Sequence, residues 1–187
     1  NPGKNPILPL LVRGGSNNII IGGLAVFKKD RLIAKVDTRQ ARALMLLRGI
    51  PSQGYLSFFL PEDGSRAAAF VRNSRKVRVE RQGDHFIFNI MIELEGSLEE
   101  HPSPRIIDSV HNRELEELLA REALKECLEL LKTVQEEWKV DCLDISKYAL
   151  ARWRKELKDK VDQEEFIRQA EIKVDVKARI TNSGERR

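Results

Sequence analysis

Apolar residues fall at every second position from Phe86 onward: Phe86, Phe88, Ile90, Ile92 and Leu94 share one side of an extended segment. Period two is the signature of a strand with one buried face. The other side carries Ile87, Asn89, Met91, Glu93 and Glu95, apolar at one end and acidic at the other. A different period governs the next long stretch. Leu115, Leu118, Leu119, Ala123, Cys127, Leu130, Leu131, Val134 and Trp138 recur at steps of three and four. They form one apolar stripe on a helix of about seven turns, which Leu124 and Leu128 widen.

The remaining pattern is shorter-ranged. Ile19–Lys28 and Arg31–Val36 are rich in β-branched and aliphatic residues and flank the polar turn Lys29-Asp30, which predicts two strands. Asp37 and Gln40 have the spacing of a capping box ahead of a mostly apolar helix, Thr38–Arg48, with Gly49 and Pro51 as its stop. Gly54–Leu60 alternates weakly, and Pro61-Glu62-Asp63-Gly64 is a turn by composition. Ala67–Arg81 predicts one long strand, or two broken near Asn73-Ser74. Shorter helical segments follow at Tyr148–Leu157 and Gln163–Gln169. Glu171–Ile180 closes with alternating apolar and charged positions, as in an antiparallel sheet covered on one side. The order β-β-α-β-β-β-α-α-β predicts an α+β fold, a largely antiparallel sheet with helices, one of them long, packed on one face. Residues 1–16, with Pro2, Pro6, Pro9 and Gly14-Gly15, are expected to be a linker or irregular arm leading into it.

Composition narrows the classes. The 187 residues carry a formal net charge of +4 and a pI near 9.1, but charged residues of both signs make up 33% of the chain. That is a mixed, hydrated surface more than a nucleic-acid footprint. No run of eighteen apolar residues occurs, the length a spanning helix needs. The chain opens at Asn1 without an initiator Met or a signal segment, and is expected to be a piece of a longer protein. Cys127 and Cys142 lack metal-ligand spacing. They read as small buried hydrophobes, the alternative being a bridge between them in an oxidising compartment.

Candidate chemistry is sparse. Gly22-Gly23 lies inside a strand pattern rather than at a strand-to-helix turn, which predicts a bulge or a close backbone approach, not a phosphate cradle. His85, His101 and His111 have no catalytic or metal-binding spacing and are expected at the surface. Glu114, Glu116, Glu117, Glu122, Glu126 and Glu129 read as a solvated helix face, with Glu117–Arg121 as i, i+4 support. Glu93–Glu100 is a local acidic run without calcium-loop spacing, and no cofactor is expected. Its carboxylates carry the alternative reading of a small-ligand-binding domain or an enzyme. The basic run Arg72, Arg75, Lys76, Arg78 and Arg81 reads either as a solvated sheet face or as a contact for anionic lipid headgroups or an acidic partner. It lacks the aromatic platforms of single-strand binders, so no nucleic-acid partner is expected.

Several stretches together resemble a known family. These are Ile19–Val36, the G-S-L-E-E element Gly96–Glu100, Gln135 with Asp141 six residues on, and the closing Val174–Gly184. The most specific is G-x-A-V-F-K followed by a K-D-R turn, here Gly23 to Arg31. The pattern is similar to the C-terminal domain of the Ger(x)C family, the lipoprotein C subunits of nutrient germinant receptors in endospore-forming bacteria. The resemblance runs from about Pro9 to Gly184, with residues 17–184 as the domain and 185–187 as a tail. The family often has a glycine after the aspartate of its Q…D element, whereas this chain reads Asp144-Ile145-Ser146-Lys147.

The resemblance implies a non-enzymatic interaction domain and makes the opening Ile19–Val36 stretch scaffold. It also implies attachment to the outer face of the spore inner membrane through an N-terminal lipidated cysteine outside this sequence. The implied partners are two integral-membrane receptor subunits. One acyl chain anchors only marginally, so further contacts to those subunits or to an anionic membrane surface would be needed.

Overall fold

In the computed structural model, which describes residues 5–15, 18–100 and 109–183, two sheets and four helices share one core. A three-stranded sheet contains β1 (Ile7–Arg13), β2 (Ile19–Lys28) and β3 (Arg31–Val36), in that order. Helix α1 (Thr38–Arg48) follows. A four-stranded sheet has the order β4 (Gln53–Phe59), β5 (Arg66–Gln82), β6 (His85–Glu100) and β7 (Glu171–Ser183). Between β6 and β7 run α2 (Ser109–Thr133), a π-helical turn Val134–Trp138, α3 (Ser146–Leu157) and α4 (Glu164–Gln169). His101, Pro102, Pro104, Gly184 and the tail 185–187 lie outside the described residues.

Local signals set several boundaries. Asp37 accepts from the Gln40 backbone N–H at 2.8 Å while the Gln40 side chain accepts from the Asp37 N–H at 3.4 Å, closing the capping box at the start of α1. Gly49 ends that helix in the left-handed region, φ 70°. Gly22 is the extra residue where the β1–β2 register shifts, since Leu10 faces Gly23 and Leu11 faces Ile21. Next to it, a Cβ on Gly23 would lie 1.8 Å from the Val36 carbonyl oxygen. The glycine pair is thus a bulge and a close backbone approach, as its place in the strand predicts.

Phe86, Phe88, Ile90, Ile92 and Leu94 are all buried and share one core with Leu115, Leu119, Ala123, Cys127, Leu130 and Val134. The α+β class and the largely antiparallel sheet stand. Three details depart from the pattern-based reading, and one open alternative is resolved. Residues 7–13 are a strand rather than an irregular arm, because β1 pairs with β2 and Pro9 falls on an edge strand, where a missing N–H is tolerated. Of the two alternatives for Ala67–Arg81 the single long strand holds: β5 runs unbroken through Asn73-Ser74 because each residue finds a partner on β6. β7 pairs parallel to β6, since the helices between them carry the chain back to the end where β6 began. Leu128 is 47% exposed and lies on the rim of the α2 stripe instead of widening its buried part.

Candidate interaction surface

The outer face of β5, β6 and β7 is uncovered. Strand alternation puts Arg72, Lys76 and Arg78 of β5 on it, with Glu93 and Glu95 of β6 and Lys173, Lys177 and Arg179 of β7. Register aligns them in rows: Arg72, Glu95 and Arg179; Ser74, Glu93 and Lys177; Arg78, Asn89 and Lys173. Arg72 pairs with Glu95 at 2.9 Å and Lys76 with Glu93 at 3.1 Å. The Lys76 hydrogen bond and charge hold the Glu93 carboxyl below its usual range. Arg78 is exposed and has no ion pair among the described residues. Glu80, Asp175 and Glu171 add negative charge, and Lys173 pairs with Glu171 at 2.9 Å. Signs therefore alternate across the face instead of building one positive field.

The five residues of the basic run do not form one patch. Arg75 and Arg81 have the opposite parity on β5 and turn toward the helices. The Arg75 guanidinium donates to the carbonyls of Leu47 and Leu143, the latter at 3.1 Å, and packs against Gly49, where a Cβ would meet its Nε at 2.6 Å. It thereby satisfies a carbonyl in the last turn of α1 that the helix leaves unpaired. Arg81 donates to Glu156 at 2.6 Å and to Asp84 at 3.3 Å, and lies over the Phe86 and Trp153 rings. The Glu156 hydrogen bond raises its pKa further.

The carboxylates of Glu93–Glu100 do not converge. Glu93 and Glu95 are held by cations on β5, and Glu99 accepts from the Ser97 hydroxyl at 2.7 Å. A cleft lies elsewhere, between Arg81, Asp84, Glu156, Lys160 and Phe166. Among the described residues no group of three or more His, Cys, Asp or Glu side chains is arranged to hold a metal. His85 is exposed and 3.4 Å from Glu171, and His111 is half-buried and 3.5 Å from Glu114.

The polar residues inside the molecule hold the scaffold. Glu126, taken from the α2 pattern as solvated, is only 5% exposed, because α1 packs against that side of α2 and brings Arg39 and Arg42 onto it. The hydrogen bond to Glu126 raises the Arg39 pKa. Glu117 pairs back to Arg113 at 3.6 Å. Gln135 donates to the carbonyls of Ile167 and Ala170 at 2.9 and 2.8 Å, tying the end of α2 to that of α4. The Asp141 carboxylate accepts from the N–H groups of Ile145 and Ser146 at 3.2 and 2.8 Å and so opens α3. Burial pushes that carboxyl up, opposed by its bonds to Ser146 and Ile145. Asp144 takes the left-handed conformation, φ 57°, without needing a glycine there. The Asn5 amide donates to the Asp141 carbonyl at 3.1 Å, and Arg48 donates to the Asn5 and Cys142 carbonyls at 2.9 and 2.8 Å. Both cysteines are buried and free.

A family model described as spore germination B3/GerAC like, C-terminal, matches residues 22–184. The spore germination protein GerQC of Bacillus cereus is 23% identical over 184 residues, covering 97% of this chain and 50% of that protein. A crystal structure of the GerBC protein superposes with a TM-score of 0.82 at 14% identity, over 96% of this chain and 57% of that one. The chain thus spans about half the length of the curated relative it matches.

Proposed function

The chain belongs to the spore germination B3/GerAC-like C-terminal family, and from that premise we propose that it acts as a non-enzymatic domain of the C subunit of a nutrient germinant receptor. In this reading it is part of a lipid-anchored protein at the outer face of the spore inner membrane. It works by contact with the two integral-membrane subunits. The family match over residues 22–184 carries the proposal.

The disposition of charged groups supports it. The interior ones, Glu126, Asp141 and Arg75, are tied to helix ends and helix pairs, and the acidic run diverges along a sheet. What remains for an encounter is the open face of β5, β6 and β7. Of the basic run, Arg72, Lys76 and Arg78 are available there, and Arg75 and Arg81 are not. Alternating signs suit a protein surface with a complementary pattern better than a uniformly anionic lipid sheet.

Spores lacking the gene, challenged with nutrients and followed by their fall in optical density, test the proposal. Germination by at least one nutrient should be lost, restored by the intact gene, and not restored by a gene deleted for residues 22–184. Unchanged germination with every nutrient would refute it.

A further inference from the structure

The β1–β2 ribbon outruns the sheet that supports it. β3 pairs with β2 only as far as Leu24 opposite Val36, and the chain then leaves into α1. Beyond that point residues 10–13 of β1 and 19–23 of β2 are paired with each other alone. A two-stranded ribbon is marginal in water without cover. This one exposes aliphatic side chains on both faces. Leu11 at 63% and Ile21 at 64% stand opposite each other on one face with Ile19 at 73% beside them, and Val12 and Ile20 stand on the other. From Ile19 to Gly22 the edge of β2 away from β1 has no strand partner among the described residues, an opening for strand addition. A contiguous aliphatic surface of this kind marks a contact.

We propose that this ribbon is covered on both faces by a further segment of the same polypeptide, the counterpart of the half that the match to the longer relatives leaves out. The geometry separates the candidates. A flat protein partner covers one face. A second copy of the chain, docking by two-fold symmetry, would likewise cover one face and leave the other wet. A bilayer would wet both faces with lipid, but the ribbon tip carries the polar Asn18 side chain, which would have to enter first. A tethered segment wraps both faces without concentration dependence. There is chain enough in the relatives, since the matched part is 50% of GerQC and 57% of GerBC.

Thiol labelling tests this in the natural full-length polypeptide, purified as a monomer without lipid. Cys127 and Cys142 are buried and give a slow background, which the parent polypeptide without the added cysteine measures. Ile21→Cys on one face and Ile20→Cys on the other, made as separate variants so that one reporter remains should the other not fold, are treated with a maleimide in buffer and in urea. Covered positions should react at least about tenfold more slowly in buffer than in urea, because labelling then waits on local opening. Near-equal rates in buffer and urea overturn the proposal. So does slowing that appears only at concentrations where light scattering detects dimers, or only after anionic vesicles are added. A natural polypeptide with no residues beyond these 187 overturns it as well.

Discussion

Arg42 on α1 and Glu126 on α2 are joined by a hydrogen bond from the arginine Nε at 3.0 Å, and the glutamate is almost entirely out of water. This pair fixes how α1 lies against the long helix. Arg39 adds a second donor at 3.1 Å from a more exposed position. Arg42→Ala should destabilise the protein by about 1.5–3 kcal/mol, the range for a lost hydrogen bond to a charged group. Glu126→Leu should cost much less, because it removes the buried charge with its partners still half in solvent. Urea unfolding of the two variants checks the order.

The thiols carry a pH prediction. Burial pushes the Cys127 thiol from its ordinary 9.0 up to about 12, and Cys142 is shifted in the same direction by burial. A folded-state value above the unfolded one favours the native state fully below about pH 9. That contribution is lost as the pH rises toward 12. Stability measured from pH 8 to 11 should fall, and Cys127→Ala Cys142→Ala should fall less over the same span. Maleimide should react with the native thiols far more slowly than with the unfolded chain.

Ile90 lies in the middle of the buried row on β6, 1% exposed, in the same core as the α2 stripe. Ile90→Ala should cost about 2–5 kcal/mol, the range for truncating a packed core aliphatic. An unchanged melting temperature would contradict the packing of this sheet under α2.

That row was legible because its period reports its burial directly, and the capping box at Asp37 and Gln40 because a four-residue stretch contains the whole device. The less legible features depend on partners far along the chain. Nothing in the α2 pattern distinguishes Glu126 from Glu122, since burial of the former comes from α1. Arg75 and Arg81 read as part of a basic run, yet strand parity turns them inward, where carbonyls and a carboxylate receive them. β1 was hidden by Pro6 and Pro9, which an edge strand accepts. Parallel pairing of β7 follows from the path of three helices, not from its alternation. The exposed cations Arg72, Lys76 and Arg78 were legible as residues but not as one face with Glu93 and Glu95.

The face can be tested without harming the fold. Arg72→Glu, Lys76→Glu and Arg78→Glu together change exposed positions whose surface ion pairs contribute about 0–1 kcal/mol each. The triple variant should unfold near the parent, while nutrient germination of spores carrying it should slow or fail. Arg75→Glu should instead lower stability, because the Leu47 and Leu143 carbonyls lose their donor.

The central claim is membership in a receptor assembly, and co-purification tests it most directly. An affinity-tagged natural protein, recovered from spore inner membrane after mild cross-linking, should bring down two integral-membrane subunits. Deletion of residues 22–184 should abolish their recovery. Recovery of the tagged protein without either subunit, under conditions that keep the membrane subunits intact, would contradict the account.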